Sequence, residues 1–322
     1  MRPSNFLALL TFTITFTSSV CSAVAQASPA HAVAHAHAQP HPQPHKNTPA
    51  PAAKPGAART PCARLSARLP RVTPAMCQSS QLVQSGARSR QGFPILTRQQ
   101  APSSGKEPVR VLLIGGIHGD ELSASSAVFQ WMQWLPPSTS SALHWNIVPV
   151  LNPDGMLAPK PRRVNANGVD LNRNFPSPRW NVEAQRYWVS KTGRDPRRFP
   201  GSSPLSEPES RWLSEEIKRF KPQLIISVHA PFGVLDFDGP VQPPVRFGAL
   251  RLAPIGVYPG SLGAYSGSNV PVLTIELPSA GRLPEPAEMR RIWQDMLTWI
   301  EQNIPAGHQV AMTPATGSDS AR

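Results

Sequence analysis

Residues 109–121 read VRVLLIGGIHGDE and carry the clearest structural signal in the sequence. An almost continuously apolar run from 109 to 114 is followed by two glycines and by a polar segment that contains His118 and Glu121. Continuous apolar runs are typical of strands buried on both faces of a parallel sheet. Open α/β sheets bind their ligands where such a strand ends and a helix begins. The stretch therefore predicts a buried strand that leads directly into a functional site.

Similar patterns extend the predicted sheet along the chain. Further strands are expected at 145–150, 224–228 and 270–277, a hairpin at 82–97, and helices at 121–135, 206–220 and 285–303. Ser206 and Glu209 have the spacing of a helix capping box. The aromatic residues of these helices are expected to pack in the core. The alternation of strands and helices predicts an α/β fold with a mixed, mostly parallel sheet flanked by helices.

The two ends differ in composition from this central part. Residues 1–27 contain one charged residue, an apolar and threonine-rich run, and small residues at the end. This pattern predicts a cleaved signal peptide, because the run is too short and too polar to span a bilayer comfortably. We therefore expect an exported protein, for example in the periplasm, with no stable membrane insertion after cleavage.

Residues 28–60 are rich in alanine, proline and histidine and are predicted to be a disordered linker, because they cannot bury enough apolar surface to become ordered. The five histidines of this segment could bind metal, but a solvated tether is the simpler interpretation. The predicted catalytic domain covers residues 61–304, and a flexible tail follows at 305–322.

Cys62 and Cys77 are the two cysteines outside the predicted signal peptide. In an oxidising compartment such a pair is expected to form one disulfide. The formal net charge of +13 would normally suggest a nucleic-acid partner. Here the basic residues are scattered among loops, for example at Arg194, Arg197 and Arg198, and the signal peptide directs the chain away from nucleic acid. No nucleic-acid partner is expected, and anionic cell-wall material, a membrane surface or solubility alone would explain the charge.

Three residues near strand ends have the chemistry of metal ligands. His118 and Glu121 are three positions apart, so their side chains can converge on one point, and His229 follows the apolar run at 224–228. Three protein ligands with a fourth position for water form the arrangement of catalytic rather than structural zinc. Taken singly, each residue is also explained by helix capping or by a histidine bonded to the backbone.

Glu276 lies within an apolar run, where an ionised carboxylate is rare without a partner. Beside a zinc-activated water it would act as general base, and an ion pair with an arginine is the alternative. Residues 163–176, RVNANGVDLNRNFP, are dense in donors suited to a carboxylate or an oxyanion. By itself this block could also be an ordinary polar loop.

Together and in this order, the motifs resemble those of the zinc metallocarboxypeptidases over residues 82–303. They are the His-Gly-Asp-Glu motif, NPDG at 152–155, the block at 163–176, SEPE at 206–209, His229 and Glu276. The resemblance implies a zinc carboxypeptidase-like fold and one zinc per chain, with Glu276 as general base. The implied zinc ligands are His118, Glu121 and His229. The resemblance also implies that Arg163 stabilises the oxyanion and that Asn172 and Arg173 bind a substrate carboxylate.

The segment YPGSLG at 258–263 resembles the amidase branch of this family, which acts on cell-wall peptides. The mobile tyrosine of the digestive carboxypeptidases is not placed with certainty on Tyr258 or Tyr265. The branch implies hydrolysis of murein peptides at the γ-D-glutamyl to diaminopimelate bond, and Asp236 or Asp238 could contact the ammonium group of diaminopimelate. The alternatives are a general exported metallocarboxypeptidase and a zinc deacylase similar to succinylglutamate desuccinylase. A wall-binding protein without turnover is disfavoured, because every expected site residue is present.

Overall fold

The computed structural model describes residues 60–103, 107–135 and 142–306. All of these belong to one structural unit within residues 55–322. The predicted signal peptide lies outside the described residues. Only the last residue of the predicted linker and the first two residues of the predicted tail are described. No helix in the described part of the chain is long and apolar enough to cross a membrane.

The described chain begins with two short helices that a disulfide joins. Helices α1 (Pro61–Ser66) and α2 (Pro74–Ser79) each start at a proline, after a threonine whose side chain accepts a backbone N–H of the first turn. Proline suits the first position of a helix, and threonine is a favoured N-cap. The Cys62–Cys77 disulfide expected from the sequence is present, with the two Cα atoms 5.5 Å apart.

Nine strands form one mixed sheet within the described residues, in the order β1-β2-β4-β3-β5-β9-β6-β8-β7. The strands are β1 (Val83–Arg88), β2 (Pro94–Gln100), β3 (Val109–Gly115), β4 (Leu143–Val148), β5 (Leu224–His229), β6 (Val234–Asp238), β7 (Arg246–Phe247), β8 (Leu250–Leu252) and β9 (Val272–Glu276). The four central strands, β4, β3, β5 and β9, are parallel, whereas β2 and β6 pair with them antiparallel. The mixed α/β sheet predicted from the sequence is therefore confirmed.

Helices cover the sheet and form a separate core on each face. They are α3 (Leu122–Gln133), α4 (Pro153–Leu157), α5 (Trp180–Thr192), α6 (Pro208–Phe220), α7 (Leu262–Ser266) and α8 (Pro286–Asn303), with 3-10 helices at Leu171–Arg173 and Pro196–Arg198. Along β3, Val111 and Leu113 pack into the core that contains residues of α3 and α8. Leu112 and Ile114 pack on the other face with residues of α6. This alternation explains why the run is apolar throughout.

The predicted capping box at the start of α6 is wrong. The helix begins at Pro208, its N-cap is Glu207, and that residue makes no side-chain capping bond. The Ser206 hydroxyl donates to the Glu207 carboxylate, while the carboxylate of Glu209 accepts hydrogen bonds from the backbone N–H of Arg90 and from the Asn165 amide. Because a proline occupies the first turn, the helix starts later than the predicted cap, and Glu209 binds a neighbouring loop instead.

Three sequence-predicted site residues meet at the carboxyl edge of the parallel strands. His118 follows β3, while His229 and Glu276 are the last residues of β5 and β9 and are paired in register. Parallel strands bring their carboxyl ends to one edge, so a site can form there from distant parts of the sequence.

Candidate active site

Two histidines and one glutamate converge at this edge. The Nδ1 atom of His118 lies 2.8 Å from Oε1 of Glu121, and Nδ1 of His229 lies 3.0 Å from Oε2 of the same carboxylate. The two Nδ1 atoms are 3.1 Å apart. All three side chains are buried, and their ligand atoms lie within 4.8 Å of one another. Within the described ranges, no other group of three or more His, Cys, Asp or Glu side chains is arranged to hold a metal ion.

The chemistry of this donor set fits zinc. Zinc accepts imidazole nitrogen and carboxylate oxygen, and three such ligands are typical of catalytic sites. The second ring nitrogen of each histidine already has a partner: Nε2 of His118 lies 3.2 Å from Oδ1 of Asp170, and Nε2 of His229 lies 2.9 Å from the Ser227 hydroxyl. Such contacts orient metal-binding histidines. Each histidine therefore directs its Nδ1 atom toward the common point beside Glu121.

The charge state of Glu121 suits a metal ligand. Burial alone would raise its pKa, but the adjacent His118 and His229 outweigh burial and hold the pKa of Glu121 well below its ordinary value. Its carboxylate is consequently ionised at neutral pH, as metal binding requires.

Asp170 connects His118 to an arginine, a role that the sequence interpretation did not assign. It is fully buried, and Oδ2 accepts a hydrogen bond of 2.9 Å from Nε of Arg163. Burial would raise the pKa of Asp170, but the charges of Arg163 and His118 outweigh it and lower the pKa well below the ordinary range. The residue belongs to the polar block at 163–176, yet the sequence offers no signal that singles it out from its polar neighbours.

The predicted arginines lie in one pocket but in different surroundings. Arg163 forms an ion pair with Asp170, and its Nη1 atom lies 3.5 Å from Oε1 of Glu121. Arg173 is 6% exposed, donates a hydrogen bond of 2.6 Å to the carbonyl of Asn172, and lies over the ring of Tyr258 at 4.4 Å. No carboxylate of the described residues forms an ion pair with Arg173. Its guanidinium is therefore available to an anion.

Asn172 supports the same part of the pocket. Its Oδ1 atom accepts the backbone N–H of Leu262 at 2.9 Å. The amide nitrogen of Asn172 is left as the donor that this side chain can offer to a ligand.

Glu276 is a buried carboxylate that forms no ion pair with an arginine or lysine of the described residues. It is 4% exposed, and its Oε2 atom accepts a long hydrogen bond of 3.4 Å from the Phe232 backbone N–H. Burial raises the pKa of Glu276. No arginine or lysine of the described residues forms an ion pair with it, so the alternative interpretation as a structural ion pair is not supported.

The pocket around these residues has a volume of about 290 Å3. Asp236, Asp238 and Tyr258 also line it. Burial raises the pKa of both aspartates, and the neighbouring Asp236 contributes to raising the pKa of Asp238 to about 6. Tyr265 lies elsewhere, stacked on Phe175. Of the two tyrosines considered from the sequence, Tyr258 is thus the one in the pocket.

A mixed α/β sheet with a three-ligand, zinc-type site and a free carboxylate beside it defines a class, that of the metal-dependent hydrolases. Within that class, residues 76–235 match the model of the zinc carboxypeptidase family. This part of the chain is therefore similar to the zinc carboxypeptidases, which are metallopeptidases.

Curated relatives also match this chain, and a solved structure shares its fold. Murein peptide amidase A of Escherichia coli (strain K12) is 36% identical over 138 residues, which are 42% of this chain and 54% of that protein. Murein peptide amidase A of Vibrio campbellii is 28% identical over 194 residues, covering 55% of this chain and 73% of that protein. The match thus spans about half the length of the Escherichia coli relative. Carboxypeptidase A from Helicoverpa armigera shares the fold, with a TM-score of 0.51, 18% identity and 70% coverage of each chain.

Proposed function

We propose that this chain is an exported, zinc-dependent peptidase or amidase that hydrolyses murein peptides, with the γ-D-glutamyl to diaminopimelate amide as the scissile bond. The observation that carries the proposal is that a single pocket contains three convergent metal donors, a free buried carboxylate and a free buried guanidinium. The names of the curated relatives support murein peptides as the substrate class.

His118, Glu121 and His229 would hold one zinc ion. When bound, zinc with an open position acts as a Lewis acid and activates a water molecule for attack on a carbonyl. The contribution of this chain is to hold the two imidazoles at fixed orientations through Asp170 and Ser227, and to keep the Glu121 carboxylate ionised.

Glu276 is proposed as the general base. Because burial raises its pKa, the carboxylate is a stronger base than an exposed glutamate, which favours proton transfer near neutral pH. Its Oε2 atom accepts the Phe232 N–H, so Oε1 is the oxygen left to receive the proton of the attacking water. The same oxygen can then deliver that proton to the leaving amine.

Arg163 is proposed to stabilise the oxyanion that develops on the scissile carbonyl. Its hydrogen bond to Asp170 fixes the guanidinium beside the metal ligands, and fixed donors stabilise developing charge without reorganisation.

Arg173 and Asn172 are proposed to bind the carboxylate of diaminopimelate next to the scissile bond. A guanidinium forms paired hydrogen bonds with a carboxylate, and Arg173 has no carboxylate partner of its own among the described residues. At the same pocket, Asp236 and Asp238 offer negative charge for the ammonium group at the far end of diaminopimelate.

Export is supported by the predicted signal peptide and by the Cys62–Cys77 disulfide, since disulfides persist in oxidising compartments. We propose a periplasmic or otherwise exported location, and no nucleic-acid partner.

A general metallocarboxypeptidase is the second candidate function, and the position of Tyr258 favours it. Digestive members of the family resemble one another in using a tyrosine in the substrate pocket, and Tyr258 lies in the pocket over Arg173. Under this alternative, the pocket would accept many C-terminal residues.

The test compares the murein tripeptide L-Ala-γ-D-Glu-diaminopimelate with the same peptide carrying lysine in the third position. Lysine retains the ammonium group but lacks the second carboxylate of diaminopimelate. We expect both of these γ-linked peptides to be cleaved much faster than ordinary peptides that end in a plain C-terminal residue. A preference for the ordinary peptides would instead support the general carboxypeptidase function.

A further inference from the structure

Two further arginines, Arg197 and Arg198, line the pocket of the metal ligands. They lie on the 3-10 helix Pro196–Arg198, far in sequence from the block that contains Arg163 and Arg173. From the sequence they are scattered surface charges. Their position in the pocket calls for a separate explanation.

Arg197 is held by the loop that carries the metal ligands. Its Nη2 atom lies 2.8 Å from Oδ2 of Asp120, the residue immediately before Glu121. No acceptor of the described chain contacts Nε or Nη1 of Arg197. The ion pair therefore fixes the guanidinium at the pocket while leaving donors free for a ligand.

The segment that carries both arginines is anchored to the neighbouring helix. The Asp195 carboxylate accepts the backbone N–H of Arg197 at 2.9 Å, and its carbonyl accepts the indole N–H of Trp188 at 2.8 Å. The ring of Phe199 packs on Trp188 at 4.9 Å. Arg198 has only a loose contact of its own, with Nε 3.6 Å from the Asp195 carboxylate. Its guanidinium can turn to a stronger partner without disrupting the segment.

Two arginines, Arg163 and Arg198, lie close enough to Arg173 for their charges to act on it. Burial lowers the pKa of Arg173. The negative charge of Asp170 raises this pKa, whereas the positive charges of Arg163 and Arg198 lower it. Like charges held close together favour a ligand with several negative groups. The pocket is thus suited to an anion with more than one carboxylate.

The proposed substrate has more carboxylates than the Arg173 site can bind. In a γ-linked glutamyl residue the α-carboxylate is free, separated from the scissile carbonyl only by Cα, Cβ and Cγ of the same residue. Diaminopimelate has a carboxylate beside the scissile amide and a second one at its far end. If Arg173 binds the carboxylate beside the amide, the other two remain without an assigned partner.

We infer that Arg197 and Arg198, anchored by Asp120 and Asp195, form a second carboxylate site at the pocket, which binds one of these two remaining groups. The inference rests on the proposed function, because it takes its ligand from the murein peptide. It adds a specificity determinant: ordinary α-linked peptides with neutral side chains have no carboxylate for this site.

The test uses three peptides and four proteins. The peptides are the murein tripeptide, its D-isoglutamine analogue, which replaces the free α-carboxylate by a carboxamide, and its lysine analogue, which lacks the far carboxylate. The proteins are the wild type, Arg197→Gln, Arg198→Gln and the control Arg194→Gln. Arg194 is an exposed arginine of the same loop that does not line the pocket, so its replacement removes an equal charge.

For the wild type, replacing the carboxylate that the site binds should lower kcat/KM about fivefold, the size expected for a partly exposed ion pair. In Arg197→Gln or Arg198→Gln this difference should disappear, and it should persist in Arg194→Gln. One analogue should be cleaved more slowly than the murein tripeptide by the wild type but not by the pocket variants. The carboxylate that this analogue lacks is the one that the site binds.

Two results would overturn the inference. One is that both pocket variants retain the full wild-type sensitivity to both analogues. The other is that Arg194→Gln reduces that sensitivity as much as they do, which would indicate a diffuse field rather than a site. Failure of the wild type to cleave any of the three peptides would contradict the proposed function, and the inference with it.

Discussion

Replacing Arg173 with alanine should weaken turnover by removing the proposed partner of the substrate carboxylate. Arg173 is 6% exposed and has no ion-pair partner among the described residues, so little solvent or protein charge competes for it. Removing the arginine from a buried carboxylate pair typically costs about 2 to 5 kcal/mol. The expected loss in kcat/KM is therefore about thirtyfold or more.

The assay measures kcat/KM for the murein tripeptide and for an analogue in which the carboxylate beside the scissile bond is a carboxamide. The wild type should lose a similar factor on the amidated analogue. Arg173→Ala should cleave both peptides at nearly equal, low rates, because the group that distinguishes them is gone. Arg173→Lys keeps the charge but lacks the planar fork, and should fall between the two.

Arg186→Ala is the matched control, since Arg186 is exposed on α5 and does not line the pocket. It should behave as the wild type. Arg173 would not be the partner of this carboxylate if Arg173→Ala, still folded and still binding zinc, remained as sensitive to amidation of the substrate as the wild type.

The remaining predictions concern the base, the aspartates and the disulfide. Glu276→Gln should keep zinc yet lose about a hundredfold to ten-thousandfold in kcat, since an amide cannot accept the proton. A near-normal kcat in this variant would mean that another residue is the base, with Asp120 as the next candidate. The pKa of Asp238 is raised to about 6, so this carboxylate loses its charge as the pH falls through that value. In the wild type, the preference for peptides with an ammonium group should therefore decline below about pH 6. In Asp238→Asn this preference should be weak at every pH. The Cys62–Cys77 bond closes a loop of 15 residues and should contribute about 3 kcal/mol to the free energy of unfolding. Mass spectrometry of protein from the envelope should find the pair oxidised. Reduction of the bond should lower the melting temperature by roughly 6 to 12 °C.

The central strands and the residues of the candidate metal site could be predicted because their signals are local. The apolar runs that became β3, β5 and β9 are continuous in sequence, and His118 and His229 stand at their ends. Burial on both faces requires such runs, and the topology of a parallel sheet then brings their ends together.

Other parts of the fold depend on contacts that a single segment does not reveal. Helix α5 was not predicted, because only Trp180 and Ala184 of its residues are buried and no apolar stripe marks it. The capping box failed because Glu209 binds Asn165 and Arg90 across the fold. Local spacing was consistent with a cap, but tertiary contacts decided the outcome.

The candidate site divides in the same way. The three residues that could hold a metal ion follow from motif spacing, whereas Asp170 joins the site only because the fold brings Arg163 and His118 to it from two directions. Arg197 enters the pocket through an ion pair with Asp120, a residue far away in sequence. In the sequence, charged residues of such a loop cannot be distinguished from ordinary surface residues, because their position at the pocket depends on tertiary contacts.

The most direct test of the account is zinc content measured together with hydrolysis of the murein tripeptide on the same preparation. We expect one zinc per folded chain, loss of hydrolysis when a chelator removes it, and recovery when zinc is returned. His118→Ala and His229→Ala should lose both zinc and hydrolysis. Hydrolysis at the full rate by protein that neither contains nor binds zinc would contradict the account.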